Sequence, residues 1–200
     1  QSVRVVERLE KQGEGLNLTW EVLDGIENHQ TSGKPSTLEG EIVRLSDKIA
    51  YINHDIDDAI RGGILTEEDI PGKYRKILGE DSKIRLDTMV HNVITNSMEQ
   101  PSIRMSPEVA EAVAGLRKFL FESVYMNPAA KGEEDKAVHM IRNLYEYYTD
   151  HMELLPEQYL TMAERGEKKE QVVCDYIAGM TDTYAVKKFE EYFIPESWKI

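Results

Sequence analysis

Apolar residues recur at three- and four-residue intervals in several separate segments of this 200-residue chain. One stripe, after the helix-start signal Ser106-Pro107-Glu108, consists of Val109, Val113, Leu116, Leu120 and Val124, and another consists of Val138, Ile141, Tyr145, Tyr148 and Met152. Such spacing places the apolar side chains on one face of an α-helix. No segment has the sustained alternation of apolar and polar residues that is typical of β-strands. The sequence therefore predicts an all-α fold, a bundle of several helices.

Capping and breaking residues predict where these helices begin and end. The predicted helices cover about 1–12, 18–29, 37–62, 66–78 and 82–98, a stretch from 106 onward, then about 132–151, 157–165 and 168–184, before an aromatic tail from Phe189 to Trp198. The third is the best defined. Its start fits a capping box in which the Ser36 hydroxyl and the Glu39 carboxylate satisfy free backbone N–H groups. Gly62-Gly63 is expected to end it, and Asn17 or Thr19 is expected to cap the second helix.

Composition and charge exclude several classes of function. With 24 basic and 37 acidic residues the formal net charge is −13, which disfavours general binding to nucleic acids or to anionic membrane surfaces. A small anionic ligand is still compatible, because a local pocket can carry its own cations. No apolar run approaches the roughly 18 residues of a membrane span. The single cysteine, Cys174, suits a reducing cytoplasm, and its apolar neighbours Val172 and Val173 predict a buried, inert thiol.

The predicted helix 37–62 has two faces of opposite character. Its apolar face consists of Ile42, Leu45, Ile49, Ile52, Ile56 and Ile60, and its polar face, within an arc of roughly 100°, consists of Asp47, Tyr51, His54, Asp55 and Asp58. Carboxylates along one stripe repel each other, and a divalent cation or a ligand hydroxyl would relieve that repulsion. A solvated acidic face on an acidic protein is the alternative interpretation. The spacing alone leaves both open.

One long segment resembles a known family. The stretch from Glu41 to Leu65, EIVRLSDKIAYINHDIDDAIRGGIL, is similar to the signature of bacterial dGTPase-like proteins of the HD superfamily. The stretches 1–6, 15–19 and 175–182 agree with the same family in the same order. The resemblance implies that residues 1–126 form the C-terminal part of an HD phosphohydrolase domain. Residues 127–200 would then form a helical phosphohydrolase-associated region, with the boundary in the loop 127–134.

The resemblance also implies roles for particular residues. Members of this family hold a metal with a histidine, an adjacent His-Asp pair and a distant aspartate, and Asp47 matches the distant aspartate. A mixed His/carboxylate site suits Mg, Mn, Fe or a similar divalent ion. Lys48 matches a phosphate-contacting lysine of some members, Tyr51 is expected to pack on the deoxyribose, and Asp55 is expected to accept from the 3′-hydroxyl.

Two further polar residues on the same helix are candidates for the site. His54 and Asp58 share the stripe with Asp47. His54-Asp55 is literally a His-Asp pair, but it follows Asp47 on the same helix instead of preceding it. We therefore assign this pair to the substrate stripe and not to the metal ligands of the family.

The reaction implied by the resemblance is hydrolysis of a deoxynucleoside triphosphate to a deoxynucleoside and triphosphate, in a homo-oligomer. A metal-activated water would attack the α-phosphorus. The missing histidine ligands are expected upstream of Gln1, and the chain, which does not begin with methionine, is expected to be a piece of a longer protein. Alone it is expected to be inactive, with metal absent or weakly bound. The alternatives are a non-catalytic oligomerisation or regulatory module and another HD phosphohydrolase.

Overall fold

The computed structural model describes residues 1–126 and 132–196, and within these ranges the secondary structure is helical without a β-strand. The prediction of an all-α bundle is therefore confirmed. By their contacts the residues form two compact units. The first consists of Gln1–Val3 and Asn17–Lys131, and the second of Arg4–Leu16 and Gly132–Ile200.

The division at 126/127 that the resemblance implies stays a prediction. Most of its boundary loop, residues 127–131, lies outside the described residues. By contacts, Arg4–Leu16 group with the second unit, although that division assigns them to the first part.

Five helices make up most of the first unit. They are α1 (Trp20–Glu27), α2 (Leu38–Arg61), α3 (Gly72–Leu78), α4 (Ser82–Ser97) and α5 (Pro107–Leu120), with a 3₁₀ turn at Glu67–Asp69 and a π-helical segment at Phe121–Tyr125. The prediction of shorter helices around 66–78 is confirmed by the 3₁₀ turn and α3. Ile70 has extended backbone angles, and Pro71 after it has no N–H to donate, so the 3₁₀ turn and α3 are separate.

The start of α2 differs from its prediction by one residue. Thr37 is the N-cap, and its hydroxyl accepts from the backbone N–H of Gly40 at 3.1 Å. Ser36 instead donates from its backbone N–H to the carboxylate of Asp24 at 2.6 Å. The predicted capping box of Ser36 and Glu39 is therefore wrong, because Asp24 engages Ser36. The predicted end at Gly62 is confirmed.

The apolar faces of α2, α3, α4 and α5 form the core of the first unit. Fully buried members are Ile52, Ile56, Leu78, Met89, Val113 and Leu116. Each such Ile or Leu side chain contributes about 1.5–3 kcal/mol through its burial. Ile42, which was predicted on the apolar face of α2, is 47% exposed. Its helical phase is as predicted, but the core does not reach the first turns of α2.

A buried arginine joins α4 to α2 and to the 3₁₀ turn. Arg85 is 1% exposed, and its Nε donates to the side-chain carbonyl of Asn53 at 3.1 Å. Its two terminal nitrogens donate to the Glu67 carboxylate at 3.2 and 3.4 Å. A buried charge is tolerated when it is paired and hydrogen-bonded, so Glu67 compensates the guanidinium that Arg85 carries into the core.

Replacing Glu67 with alanine is expected to lower the free energy of unfolding by about 3 kcal/mol, because it leaves the buried Arg85 without its counter-charge. Glu68→Ala is the matched control. Glu68 lies in the same turn and is exposed, so its loss is expected to change stability by less than about 0.5 kcal/mol. Chemical denaturation of both variants tests this, and equal midpoints would contradict the role given to Glu67.

Besides shorter helical turns at Val5–Leu9, Glu10–Gly13 and Met152–Leu154, the described part of the second unit contains four longer α-helices around an aromatic core. They are α6 (Glu134–Asp150), α7 (Glu157–Glu164), α8 (Lys169–Ala178) and α9 (Asp182–Phe193). The prediction of one helix over 168–184 is wrong, since α8 ends at Gly179 and Thr181 caps a new helix by accepting from the backbone N–H of Tyr184. Phe189, the start of the predicted aromatic tail, lies within α9. The end of that tail, residues 197–200, falls outside the described residues.

Two side-chain predictions for this unit are wrong. On α6, Leu144 and Tyr148 are buried, but Val138 and Ile141 are 49% and 47% exposed because the core contacts only the later turns. On α8, Cys174 is exposed. Val172, Val173 and Tyr176 of the same helix face the core, and Cys174 falls on the opposite side. An apolar run in the sequence therefore did not indicate burial of the thiol.

A buried ion pair fixes Arg4–Leu16 within the second unit. Asp175 is 1% exposed and accepts from the Nε of Arg4 at 2.8 Å. This hydrogen bond raises the pKa of Arg4, and Glu167 adds a second carboxylate at 3.2 Å. Asp175, for which the sequence predicted no role, is thus the partner of Arg4. Among the described residues of both units, no helix has the length and apolar character needed to cross a membrane.

Candidate functional site

Helix α2 places the predicted site residues along one side. Asp47, His54 and Asp58 are exposed, and Lys48 and Asp55 are half-buried. Tyr51 is 38% exposed. Asp58 forms an ion pair with Arg61 on the same helix, so it already has a counter-charge. The stripe therefore divides into an outer set of exposed groups and an inner set, Lys48, Tyr51 and Asp55, that turns toward α5.

A residue that the sequence did not single out joins the inner set. The hydroxyl of Tyr125 donates to the Asp55 carboxylate and lies 3.0 Å from the hydroxyl of Tyr51. Burial and these two partners raise the pKa of Tyr125 above its ordinary value. The phenol therefore stays protonated, and the three side chains form a small polar cluster that can both donate and accept hydrogen bonds.

The π-helical segment Phe121–Tyr125 explains how Tyr125 reaches this cluster. The segment continues α5 and closes with a bond from the N–H of Met126 to the carbonyl oxygen of Phe121 at 3.1 Å. A π-turn contains one residue more than an α-turn, so it changes the direction of the side chains that follow it. Such turns are frequent at functional sites.

A cavity of about 510 Å³ opens beside the cluster. Its lining consists of Thr31, Lys48, Tyr51, Ala114, Arg117, Lys118, Phe121 and Tyr125. This volume is in the range that small-molecule sites occupy. All of these residues belong to the first unit. Three of them are cations, so the side chains that line the cavity carry a positive charge, whereas the whole chain has a formal net charge of −13.

The cations of the cavity are close enough to affect each other. Burial lowers the pKa of Lys48, and the positive charges of Arg117 and Arg44 lower it further. The Nε of Arg44 is buried and has no hydrogen-bond partner among the described residues. Repulsion between these groups would be relieved by an anion. The cavity is thus electrostatically suited to a phosphate-bearing ligand.

The described residues do not form a metal site by themselves. Among them, no group of three or more His, Cys, Asp or Glu side chains is arranged to hold a metal ion. Asp47 offers one exposed carboxylate, and His54 lies two helical turns further along α2. A divalent ion needs several oxygen or nitrogen ligands. The donors that the structure describes therefore do not fit a complete centre.

The sequence predicted one wall of the cavity and missed the other. Arg117, Phe121 and Tyr125 recur every four residues, which is a helical signal along the flank of α5, beside its apolar stripe. That periodicity could have marked them as one face. It could not show that the face lies against Lys48 and Tyr51, because the hydrogen bond between Tyr125 and Tyr51 spans 74 residues of sequence.

Comparison with known proteins finds one matching family model and several similar proteins. Residues 103–191 match the phosphohydrolase-associated domain. A "Deoxyguanosinetriphosphate triphosphohydrolase-like protein" of Caldanaerobacter subterraneus subsp. tengcongensis is 54% identical over 198 residues, which is 99% of this chain and 58% of the relative. Similarly named proteins of Clostridium perfringens strain 13 and Desulfatibacillum aliphaticivorans are 43% and 37% identical, over 98% of this chain and 60% and 61% of their own lengths.

These matches define the class of protein. The chain contains a phosphohydrolase-associated domain, and its similarity to phosphohydrolase relatives extends over nearly all of its length. It belongs to the deoxyguanosinetriphosphate triphosphohydrolase-like proteins of the HD superfamily, as the resemblance in its sequence predicted. The chain spans about three fifths of the length of the curated relatives it matches.

Proposed function

We propose that this chain is part of a metal-dependent triphosphohydrolase, which converts a deoxynucleoside triphosphate and water to a deoxynucleoside and triphosphate. The observation that carries the proposal is the cavity between α2 and α5. It combines cations with a hydroxyl-binding cluster of Tyr51, Asp55 and Tyr125. A nucleotide needs both kinds of contact, one for its phosphates and one for its sugar.

The cationic part of the cavity is assigned to the phosphates. Lys48 and Arg117 are near neighbours, and a guanidinium matches the geometry of phosphate oxygens better than an ammonium does. Cations held in place before the reaction stabilise the negative charge that develops on the phosphates in the transition state. Lys48 and Arg117 would therefore both bind the substrate and lower the barrier to its hydrolysis.

The polar cluster is assigned to the deoxyribose. Asp55 lies seven residues beyond Lys48 on α2, a separation of roughly 10 Å along a helix. Its carboxylate would accept from the 3′-hydroxyl, and Tyr125 already holds that carboxylate in place. The rings of Tyr51 and Tyr125 would leave little room for a 2′-hydroxyl. A preference for deoxynucleotides over ribonucleotides follows.

Asp47 is proposed as one ligand of a divalent metal ion, Mg, Mn, Fe or a similar ion. Its carboxylate is exposed and directly precedes Lys48, so an ion there would lie next to the phosphates. The remaining ligands would come from residues that this chain does not contain. We further propose that the full-length protein acts in the cytoplasm, where its substrates are made and where an exposed thiol such as Cys174 stays reduced.

Product analysis tests the proposed function. The full-length protein, incubated with dGTP and with GTP, is expected to release inorganic triphosphate and deoxyguanosine from dGTP at a much higher rate than it hydrolyses GTP. Release of monophosphate or pyrophosphate would instead indicate another HD phosphohydrolase. No turnover of any nucleotide, in a protein that contains bound metal, would exclude the enzyme and favour a non-catalytic role.

A specific observation favours the second candidate, a helical oligomerisation or regulatory module. Helix α4 and the residue that caps its C-terminal end carry an apolar stripe, Leu86, Val90, Ile94 and Met98, whose members are 40–67% exposed. Apolar stripes of this kind are typical of surfaces that another helix covers. We propose that this stripe contributes to a homo-oligomer. Both roles can coexist, and sedimentation of the full-length protein beside the product analysis separates them.

A further inference from the structure

One aromatic side chain of the cavity belongs neither to the proposed phosphate-binding cations nor to the proposed sugar-binding cluster. Phe121 lines the cavity and is 57% exposed. Its ring contacts that of Tyr125 in a tilted arrangement, with 6.2 Å between the centroids, and leaves most of its surface free. An exposed phenyl ring forfeits much of the favourable free energy that its burial would contribute. A ring left open inside a ligand-sized cavity is therefore a candidate contact for an apolar face of the ligand.

Phe121 lies between the proposed phosphate-binding and sugar-binding groups. Arg117, Phe121 and Tyr125 follow one another at four-residue intervals on the same side of α5 and its π-helical continuation. Phe121 thus lies about one helical turn from the phosphate-binding cation and one turn from the sugar-binding cluster. A nucleotide held at its phosphates and its 3′-hydroxyl has one large group left, the base, whose faces are flat and apolar.

We propose that Phe121 stacks on the base of the bound nucleotide. This inference rests on the proposed function and adds the basis of base recognition to it. Stacking uses the π-face that every base has, so it tolerates all four bases. Purines offer the larger face. The geometry therefore assigns the site a broad deoxynucleotide specificity in which dGTP and dATP bind more tightly than dCTP and dTTP.

Equilibrium binding to the full-length protein tests the proposal without depending on turnover. Phe121→Ala is expected to weaken the binding of dGTP and dATP by roughly 5- to 150-fold, the usual range for one base–aromatic stack, and that of dTTP by less. Phe121→Trp and Phe121→Tyr are expected to restore binding. The affinity for inorganic triphosphate, which has no base, is expected to be unchanged in all three variants.

The matched control is Ile141→Ala, which removes a similarly exposed apolar side chain of α6 that belongs neither to the cavity lining nor to the proposed oligomer stripe. It is expected to leave every affinity unchanged. Unaltered dGTP binding by Phe121→Ala, or an equal loss of dGTP and inorganic triphosphate binding, would overturn the stacking role. A different result would contradict the proposed function, namely that the wild-type protein releases no triphosphate. In that case the binding comparison would still test the role of Phe121.

Discussion

Replacing Asp47 with alanine in the full-length protein is expected to reduce dNTP hydrolysis by on the order of 10³-fold or more and to lower its bound metal content. The magnitude follows from the several kcal/mol of transition-state stabilisation that a bound metal supplies. The structure indicates that this substitution removes the carboxylate without disturbing the fold. Asp47 is exposed and forms no hydrogen bond or ion pair with another described residue, so the fold is expected to tolerate its loss.

Glu39→Ala is the matched control for Asp47→Ala. Glu39 is another exposed carboxylate of α2, in its first turn, and its removal is expected to change neither hydrolysis nor metal content. Metal analysis and product release are measured for both variants, together with His54→Ala and Asp58→Asn. If metal is lost from either of these two and retained by Asp47→Ala, the ligand has been assigned to the wrong residue.

Removing both cations of the proposed phosphate site is expected to weaken binding of dNTPs and of inorganic triphosphate on the order of 10³-fold. Each charged hydrogen-bonding group contributes about 1.5–3 kcal/mol, so Lys48→Met and Arg117→Met alone are each expected to cost roughly 10- to 150-fold. Arg117→Lys is expected to recover only part of the loss, because it keeps the charge without the planar fork.

Lys83→Met controls for a general change in electrostatics. Lys83 is an exposed cation of α4 in the same unit, away from the cavity lining. Its removal changes the net charge by the same amount as Lys48→Met, and triphosphate binding is expected to remain as in the wild type. Titration of triphosphate into the Lys48→Met, Arg117→Met and Lys83→Met variants at two salt concentrations compares the three positions. If Lys83→Met weakens binding as much as Lys48→Met, the effect comes from overall charge and not from the cavity.

The sequence predicted those features of the site that depend on one helix. The register of α2 follows from its periodicity, so the shared side of Asp47, Tyr51 and Asp55 was predictable. The contacts of Tyr125 with Tyr51 and Asp55 were not, because they depend on how α5 packs against α2 across 70 or more residues. The roles of Asp47, Tyr51 and Asp55 in catalysis and binding stay predictions, which the experiments above test.

The wrong predictions have related causes. Periodicity gives the direction in which Ile42, Val138 and Ile141 point, but not the length of helix that the core covers. Likewise, the apolar neighbours of Cys174 are core residues, but a thiol two positions from a buried tyrosine falls on another side of the helix. Ser36 is a favourable N-cap by residue type, but it donates to the carboxylate of Asp24, twelve residues earlier in the chain.

The π-helical segment Phe121–Tyr125 makes the cavity depend on the backbone geometry of this stretch as well as on the identity of its residues. If the same residues formed a regular α-helix, the side chain at the end of the segment would be rotated by about 100° around the helix axis. Tyr125 would then face away from Asp55, although every side chain of the cluster would still be present in the chain. Relatives that have the same number of residues here but lack the π-turn should therefore form the sugar-binding end with a different residue, even where α2 is identical.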